Sequence, residues 1–250
     1  MVNESSRGLT ALGVLLALGM CVGAYLLGMQ TKQIGAGRQT ISVKGLAEKP
    51  VKADLAEWTT GVELNAPSFA EALKKLREAQ PKLRQFLVAQ GFAAESLKEA
   101  AERVVPHMVE QETSEGRIRM VQQGFEASQN ITFAGPDLTK VAKAYKAIVQ
   151  FQADGNPVTY SPPLFLVSNL EDVKMSLIGA ATQNAKRRAE EFAKTGGVKV
   201  GSMRNASQGA FYILPVGAST DVDDYGGTYD KSTIDKTARV VVTIEYQIES

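Results

Sequence analysis

Asp221, Asp223, Asp224 and Asp230 crowd around Gly226 and Gly227, beside Tyr225 and Tyr229. Hard cations such as calcium take several carboxylate oxygens, so these residue types come nearest to metal chemistry in the chain. The spacing is not that of an EF-hand. Counted from Asp221, position five is Tyr225 and position twelve is Ser232, where the loop needs an oxygen ligand and a bidentate glutamate. Asp221, Asp223 and Asp224 are therefore only weak metal candidates, and the segment reads as a solvated loop or a subunit contact. Tyr225 and Tyr229 are the residues expected to touch a ligand or a second subunit.

Other reactive residue types are scarce. His107 is the single histidine and has no evident partner in sequence, and Cys21 is the single cysteine. A multi-histidine metal centre is thus excluded, and beyond the N-terminal apolar segment, where Cys21 lies, so are a thiolate metal site and a disulfide. Residues 199–202 include a glycine but no phosphate-binding loop, and neither GxSxG nor a zincin motif occurs. Lys186, Arg187 and Arg188 are offset by Glu190 and Glu191, as on a solvated helix face. The expectation is no catalytic residue, no cofactor and no metal.

Charge narrows the partners. Lys and Arg total 28 against 27 Asp and Glu, a balance unlike the basic face of a nucleic-acid binder. A hydrophobic content of 44% suffices for a globular core.

Residues 8–31 carry no charge, with Arg7 before them and Lys32 after. At about 1.5 Å per residue, 9–29 is long enough to cross a hydrocarbon core of about 30 Å. The expected organisation is a short cytoplasmic tail (1–8), a transmembrane anchor (9–29) in contact with membrane lipid, a linker (30–40) and an exported domain (41–250). Gly19 and Gly23 form a GxxxG pair through which two such helices could approach closely. The rival reading is a signal peptide cleaved near Val22, Gly23 and Ala24, which would release the domain in soluble form.

The elements that follow are legible from periodicity. Residues 41–64 read as two strands, or as one bent between Gly45 and Pro50. Ser68 and Glu71 form a capping box before Phe69, Leu73, Leu76, Leu83 and Leu87, and Gly91 is the stop; Pro81 should kink or split this helix. Residues 95–112 are divided between helix propensity in SLKEAAER and an extended pattern at Arg103, Val105 and His107. Residues 117–133 read as a long strand that closes a hairpin across 113–116. Pro136 opens a helix with Leu138, Val141, Tyr145, Ile148 and Val149 on one side, and 158–167 is extended.

A longer helix over about 169–195 is capped by Ser168 and Glu171. It carries the stripe Leu177, Ala181, Ala185, Ala189 and Phe192, whose small residues allow close approach to a sheet. Gly196 and Gly197 end it, 198–203 is a strand and 208–235 a long loop. Residues 236–248 alternate as a strand. The order β-α-β-β-α-β then α-β-β points to an α+β fold, antiparallel sheets with helices packed on one face, preceded by one transmembrane helix.

ISVKGLAEKPVKADLA near the start, FEASQNITF, AATQNAKRRAEEFAKTGGVKVG and the closing VVVTIEYQI together resemble the SIMPL-domain family of bacterial envelope proteins. The resemblance favours a strand in 95–112. It implies a periplasmic or membrane-attached α+β domain that assembles into homo-oligomers and contributes to oxidative or envelope stress tolerance, and it supplies no catalytic residues. The expected function is a single-pass inner-membrane protein with a non-catalytic, self-associating periplasmic domain. The alternative is a ligand- or partner-binding stress sensor that uses the 208–235 loop.

Overall fold

The structure is a computed structural model and describes residues 13, 16–25, 39–112, 116–218 and 227–249. In chain order the elements are β1 (Thr40–Lys52), β2 (Leu55–Ala66), α1 (Phe69–Ala89), β3 (Leu97–Glu99), β4 (Arg103–Glu112) and β5 (Ile118–Gly135). They continue with α2 (Leu138–Ala153), β6 (Val158–Tyr160), β7 (Leu164–Leu166), α3 (Leu170–Thr195), β8 (Lys199–Pro215) and β9 (Asp235–Glu249). One three-stranded sheet has the order β1-β9-β8. A second has the order β3-β5-β2-β6, with β4 also on β5 and β7 also on β2. The pairs of this second sheet are antiparallel, and the fold is α+β.

The chain forms two compact units. One takes the described residues up to Ala47, Met175–Ala210 and the chain from Val240; the other takes Glu48–Lys174 and Phe211–Arg239.

The larger unit has a single core. Ala56, Trp58, Val62, Leu64 and Ala66 alternate along β2, so they share one face of the sheet. Against them lie Leu76, Leu83 and Leu87 of α1 and Val141, Ala144 and Ile148 of α2. Trp58 is 1% exposed and donates its indole N–H to the Ser161 carbonyl at 3.0 Å, so its polar handle is satisfied. Within 95–112, Leu97–Glu99 and Arg103–Glu112 are strand, after a short 3-10 turn at Ala94–Ser96. Pairing of Leu97–Glu99 and Arg103–Glu112 with β5 overrides the local helix propensity.

Several expectations are corrected here. Pro81 does not split α1, which runs unbroken from Phe69 to Ala89. Packing of Leu76, Leu83 and Leu87 on either side of the proline holds the helix through the missing hydrogen bond. Phe69, Val149 and Phe192 are half exposed or more, not core. Each helical residue turns the face by about 100°, so Val149 is swung away from Ile148, and Ala193 rather than Phe192 continues the stripe of α3. Ser68 does cap α1, accepting from the Glu71 N–H at 3.3 Å. Ser168 caps nothing, because α3 begins at Leu170 and the Ser168 hydroxyl donates to Asp54 instead.

In the smaller unit, the small residues of α3 act as expected. A Cβ on Gly45 of β1 would lie 2.1 Å from the Ala181 carbonyl and 2.8 Å from the Ala185 Cβ. Helix backbone thus rests directly on strand backbone, and only glycine fits beneath it. Two side chains of α3 also reach the outer edge of β1. Asn184 Oδ1 accepts from the Leu46 N–H at 3.2 Å, and Arg188 donates to the Lys44 carbonyl at 3.2 Å.

Residues 16–25 are helical, and Gly19 and Gly23 have open space where a Cβ would project. Among the described residues, no helix is long and apolar enough to cross a membrane. The expected span 9–29 falls in part outside them, at 9–12, 14–15 and 26–29.

Candidate functional site

The β4–β5 hairpin outruns its sheet. β2 pairs with β5 only as far as Ala66 opposite Phe125, whereas β4 follows β5 out to Glu112 opposite Ile118. The outer part is therefore a two-stranded ribbon. Met108, Glu110 and Glu112 lie opposite Gln122, Met120 and Ile118, which puts Met108, Met120 and Ile118 on one face; Val109 and Val121 oppose each other on the other. Met108, Ile118, Met120 and Val121 are exposed by 46, 69, 56 and 38%. A lone ribbon in water gains little from such residues, because nothing buries them.

An irregularity marks the root of the ribbon. Between the pairs Pro106–Phe125 and Met108–Gln122, His107 faces both Gln123 and Gly124. Gly124 has φ +87°, and a Cβ there would sit 2.4 Å from the Ala66 carbonyl, so the bulge needs glycine on both counts. The bulge opens a cleft of about 510 Å³ lined by Asn65, Ala66, Pro67, His107, Gln123 and Gly124. His107 Nδ1 lies 3.7 Å from Glu126 Oε2, too long for a hydrogen bond. None of the described residues lining this cleft carries a hydroxyl or thiol. Asn65 and Gln123 could hold a polar group.

The second cluster is buried. Lys236 has no exposed surface, and its ammonium donates to the Asp230 carbonyl at 2.6 Å and to Asp230 Oδ2 at 3.1 Å. The same carboxylate accepts from the Ser232 N–H at 2.9 Å, the Ser232 hydroxyl at 2.7 Å, the Thr233 N–H at 3.3 Å and the Thr233 hydroxyl. Burial pushes the Asp230 carboxyl up, but these hydrogen bonds outweigh it and hold the group well below the ordinary carboxylate range. With the ammonium buried and the carboxylate paired on both oxygens, this cluster staples the turn before β9. Asp54 is likewise lowered, chiefly by the Ser168 hydroxyl, and its other oxygen accepts from the Ser168 N–H at 2.8 Å.

On α1, Arg77 holds Glu102 through paired 2.8 Å bonds and Arg84 holds Glu99, around a cleft of about 400 Å³. Both arginines are thereby committed to carboxylates. Glu102 is lowered and Arg77 raised by their shared hydrogen bonds.

The residues singled out in the sequence are scattered. Tyr229 is half-buried, and its hydroxyl accepts from the Val167 N–H at 2.8 Å. Asp221, Asp223, Asp224 and Tyr225 lie outside the described residues. Among the described residues, no group of His, Cys, Asp or Glu could hold a metal ion. The first part of the segment expected as a loop is strand: β8 runs on to Pro215, well past residue 203.

The comparison with protein families matches residues 41–246 to the model described as SIMPL, a protein of unknown function (DUF541). The chain belongs to the SIMPL family. No curated protein matches it. The SIMPL match takes in both compact units, the ribbon and the Asp230–Lys236 staple. The sequence anticipated the pairing of 117–133 with the segment before it but not that the pair outruns its sheet, though a signal existed: Ile118 and Met120 alternate with Arg117 and Arg119, a half-apolar run for which the core has no face to spare.

Proposed function

We propose that this SIMPL protein is a membrane-anchored bacterial envelope protein whose exported domain works by self-association and not by catalysis. The observation that carries the reading is the ribbon, which holds Met108, Ile118, Met120 and Val121 in water on a stem rooted in the core. Apolar residues displayed in this way gain free energy when a second surface covers them. In support of the anchor, residues 8–31 carry no charge, and Leu16, Leu18, Met20, Val22 and Tyr25 are all more than half exposed. Gly19 and Gly23 would bring two such anchors together within the inner membrane. The domain from 41 onward would then stand in the periplasm, where its contribution to envelope or oxidative stress tolerance can be scored by survival of a deletion strain.

The test is the mass of the detergent-solubilised full-length protein by size exclusion with light scattering. The expected result is an oligomer that Ile118→Glu and Met120→Glu together dissociate without a change in melting temperature. A monomer at micromolar concentration overturns self-association. Protease digestion of spheroplasts and inside-out vesicles tests the topology, and a body protected in spheroplasts but cut in inside-out vesicles refutes the periplasmic placement.

A further inference from the structure

The buried stripe of α1 is apolar except at one position. Ala72, Leu76, Leu83 and Leu87 are buried along it, and Gln80 stands between Leu76 and Leu83, where helical spacing calls for another core residue. Gln80 is 7% exposed, and among the described residues neither its amide nitrogen nor its amide oxygen has a hydrogen-bond partner. Burying both unpaired costs free energy that a leucine would not, so packing alone gives no reason for a glutamine here. Pro81, next in the chain, has no N–H to give the Arg77 carbonyl, so the helix ladder has a gap on the same turn.

Gln80 lines the cleft of about 400 Å³ that α1 shares with Glu99, Glu102 and Gln129. All of its lining residues belong to the larger unit, and none stands close in sequence to the undescribed residues. Its other polar groups are engaged. Arg77 is paired with Glu102 and Arg84 with Glu99, two cations against two carboxylates, and Gln129 Nε2 donates to the Ala100 carbonyl at 2.9 Å. An incoming ion would have to break one of these pairs to form another. A neutral group with a donor beside an acceptor breaks none, and it answers both atoms of the Gln80 amide at once.

We propose that this cleft binds a small neutral molecule bearing a carboxamide or a cyclic ureide, which Gln80 recognises by donating to its carbonyl and accepting from its N–H. The four charged side chains are 32 to 62% exposed, so each pair can shift in water without parting and let the ligand reach the amide. The cleft is at the small end of the roughly 300–1,000 Å³ typical of ligand pockets, which suits a single substituted ring. The site is independent of self-association.

The experiment uses full-length protein in detergent, carrying isotope-labelled glutamine, and follows side-chain amide signals by nuclear magnetic resonance. Gln80→Leu identifies the Gln80 signal by its loss. Nicotinamide and hydantoin are titrated beside two controls, acetate and N,N-dimethylnicotinamide, which keeps the carbonyl but has no amide N–H. The expected result is a saturable movement of the Gln80 signal with nicotinamide or hydantoin and none with either control. Calorimetry should then show affinity weakened about tenfold or more in Gln80→Leu. A Gln80 signal that neither amide probe moves overturns the proposal, and so does one that the dimethyl compound moves equally. Should Gln80→Leu fail to fold, Gln80→Met supplies the assignment and the wild-type titration decides.

Discussion

Lys236→Met tests whether the buried pair staples the turn before β9. The ammonium has no exposed surface and the Asp230 side chain is only 8% exposed, so removing the cation leaves a carboxylate with little access to water. At 3.1 Å and an effective dielectric of about 20, the attraction lost is about 5 kcal/mol. The Asp230 carbonyl also loses its 2.6 Å donor, while the methionine stem keeps most of the apolar packing. Hydrogen bonds from Ser232 and Thr233 remain, which places the net cost at about 3–5 kcal/mol, the range for breaking a buried pair from one side. For a chain of this size that is a fall in melting temperature on the order of 6–20 °C, read by thermal unfolding followed by circular dichroism. The pH dependence has a defined sign. The folded carboxyl lies below its ordinary value of 3.8, so the stability it contributes is present above that pH and is lost as pH falls through the folded value. Asp230→Asn should flatten the acid side of the stability curve. A Lys236→Met melting temperature within about 2 °C of wild type would refute the reasoning, since no buried pair can be broken so cheaply.

Further predictions concern the core and the close packing. Gly45→Val should destabilise by about 3 kcal/mol in urea unfolding, since helix backbone lies where the side chain must go; no loss would mean that α3 does not rest there. Gln80 is buried, and among the described residues neither of its amide atoms has a hydrogen-bond partner, so Gln80→Leu should stabilise by about 1–2 kcal/mol, and a destabilised variant would reveal a partner for the amide. Trp58→Ala should cost about 3–5 kcal/mol, whereas Trp58→Phe should cost less and leave the Ser161 carbonyl without its donor. Gly124→Ala should disrupt the root of the ribbon, given φ +87° and the Ala66 carbonyl beneath it, and should reduce assembly more than Gly116→Ala, where a Cβ meets nothing.

Local periodicity determined the elements. The apolar alternation of β9, the Ser68 cap of α1 and the alanine stripe of α3 each depend on residues within a turn or two of one another, and each is legible in the chain. The stripe even foretold that α3 would lie close to a strand, but not that Gly45, far away in sequence, would be the residue beneath it. Where local signals conflicted, distant partners decided. Residues 97–99 and 103–112 became strand because β5 offered them a ladder, and Pro81 stayed inside a helix because flanking leucines were buried.

The candidate surfaces were the least legible. An exposed apolar residue looks the same in sequence as a buried one, and only the end of β2 at Ala66 left Ile118 and Met120 without a cover. Lys236 read as an ordinary polar residue at the start of a strand until the fold closed over it and set Asp230 against its ammonium. Residue type and spacing determined what the chain could build. Which faces and edges were left open was decided only by tertiary structure, because burial depends on what lies across the core and not on what lies next along the chain.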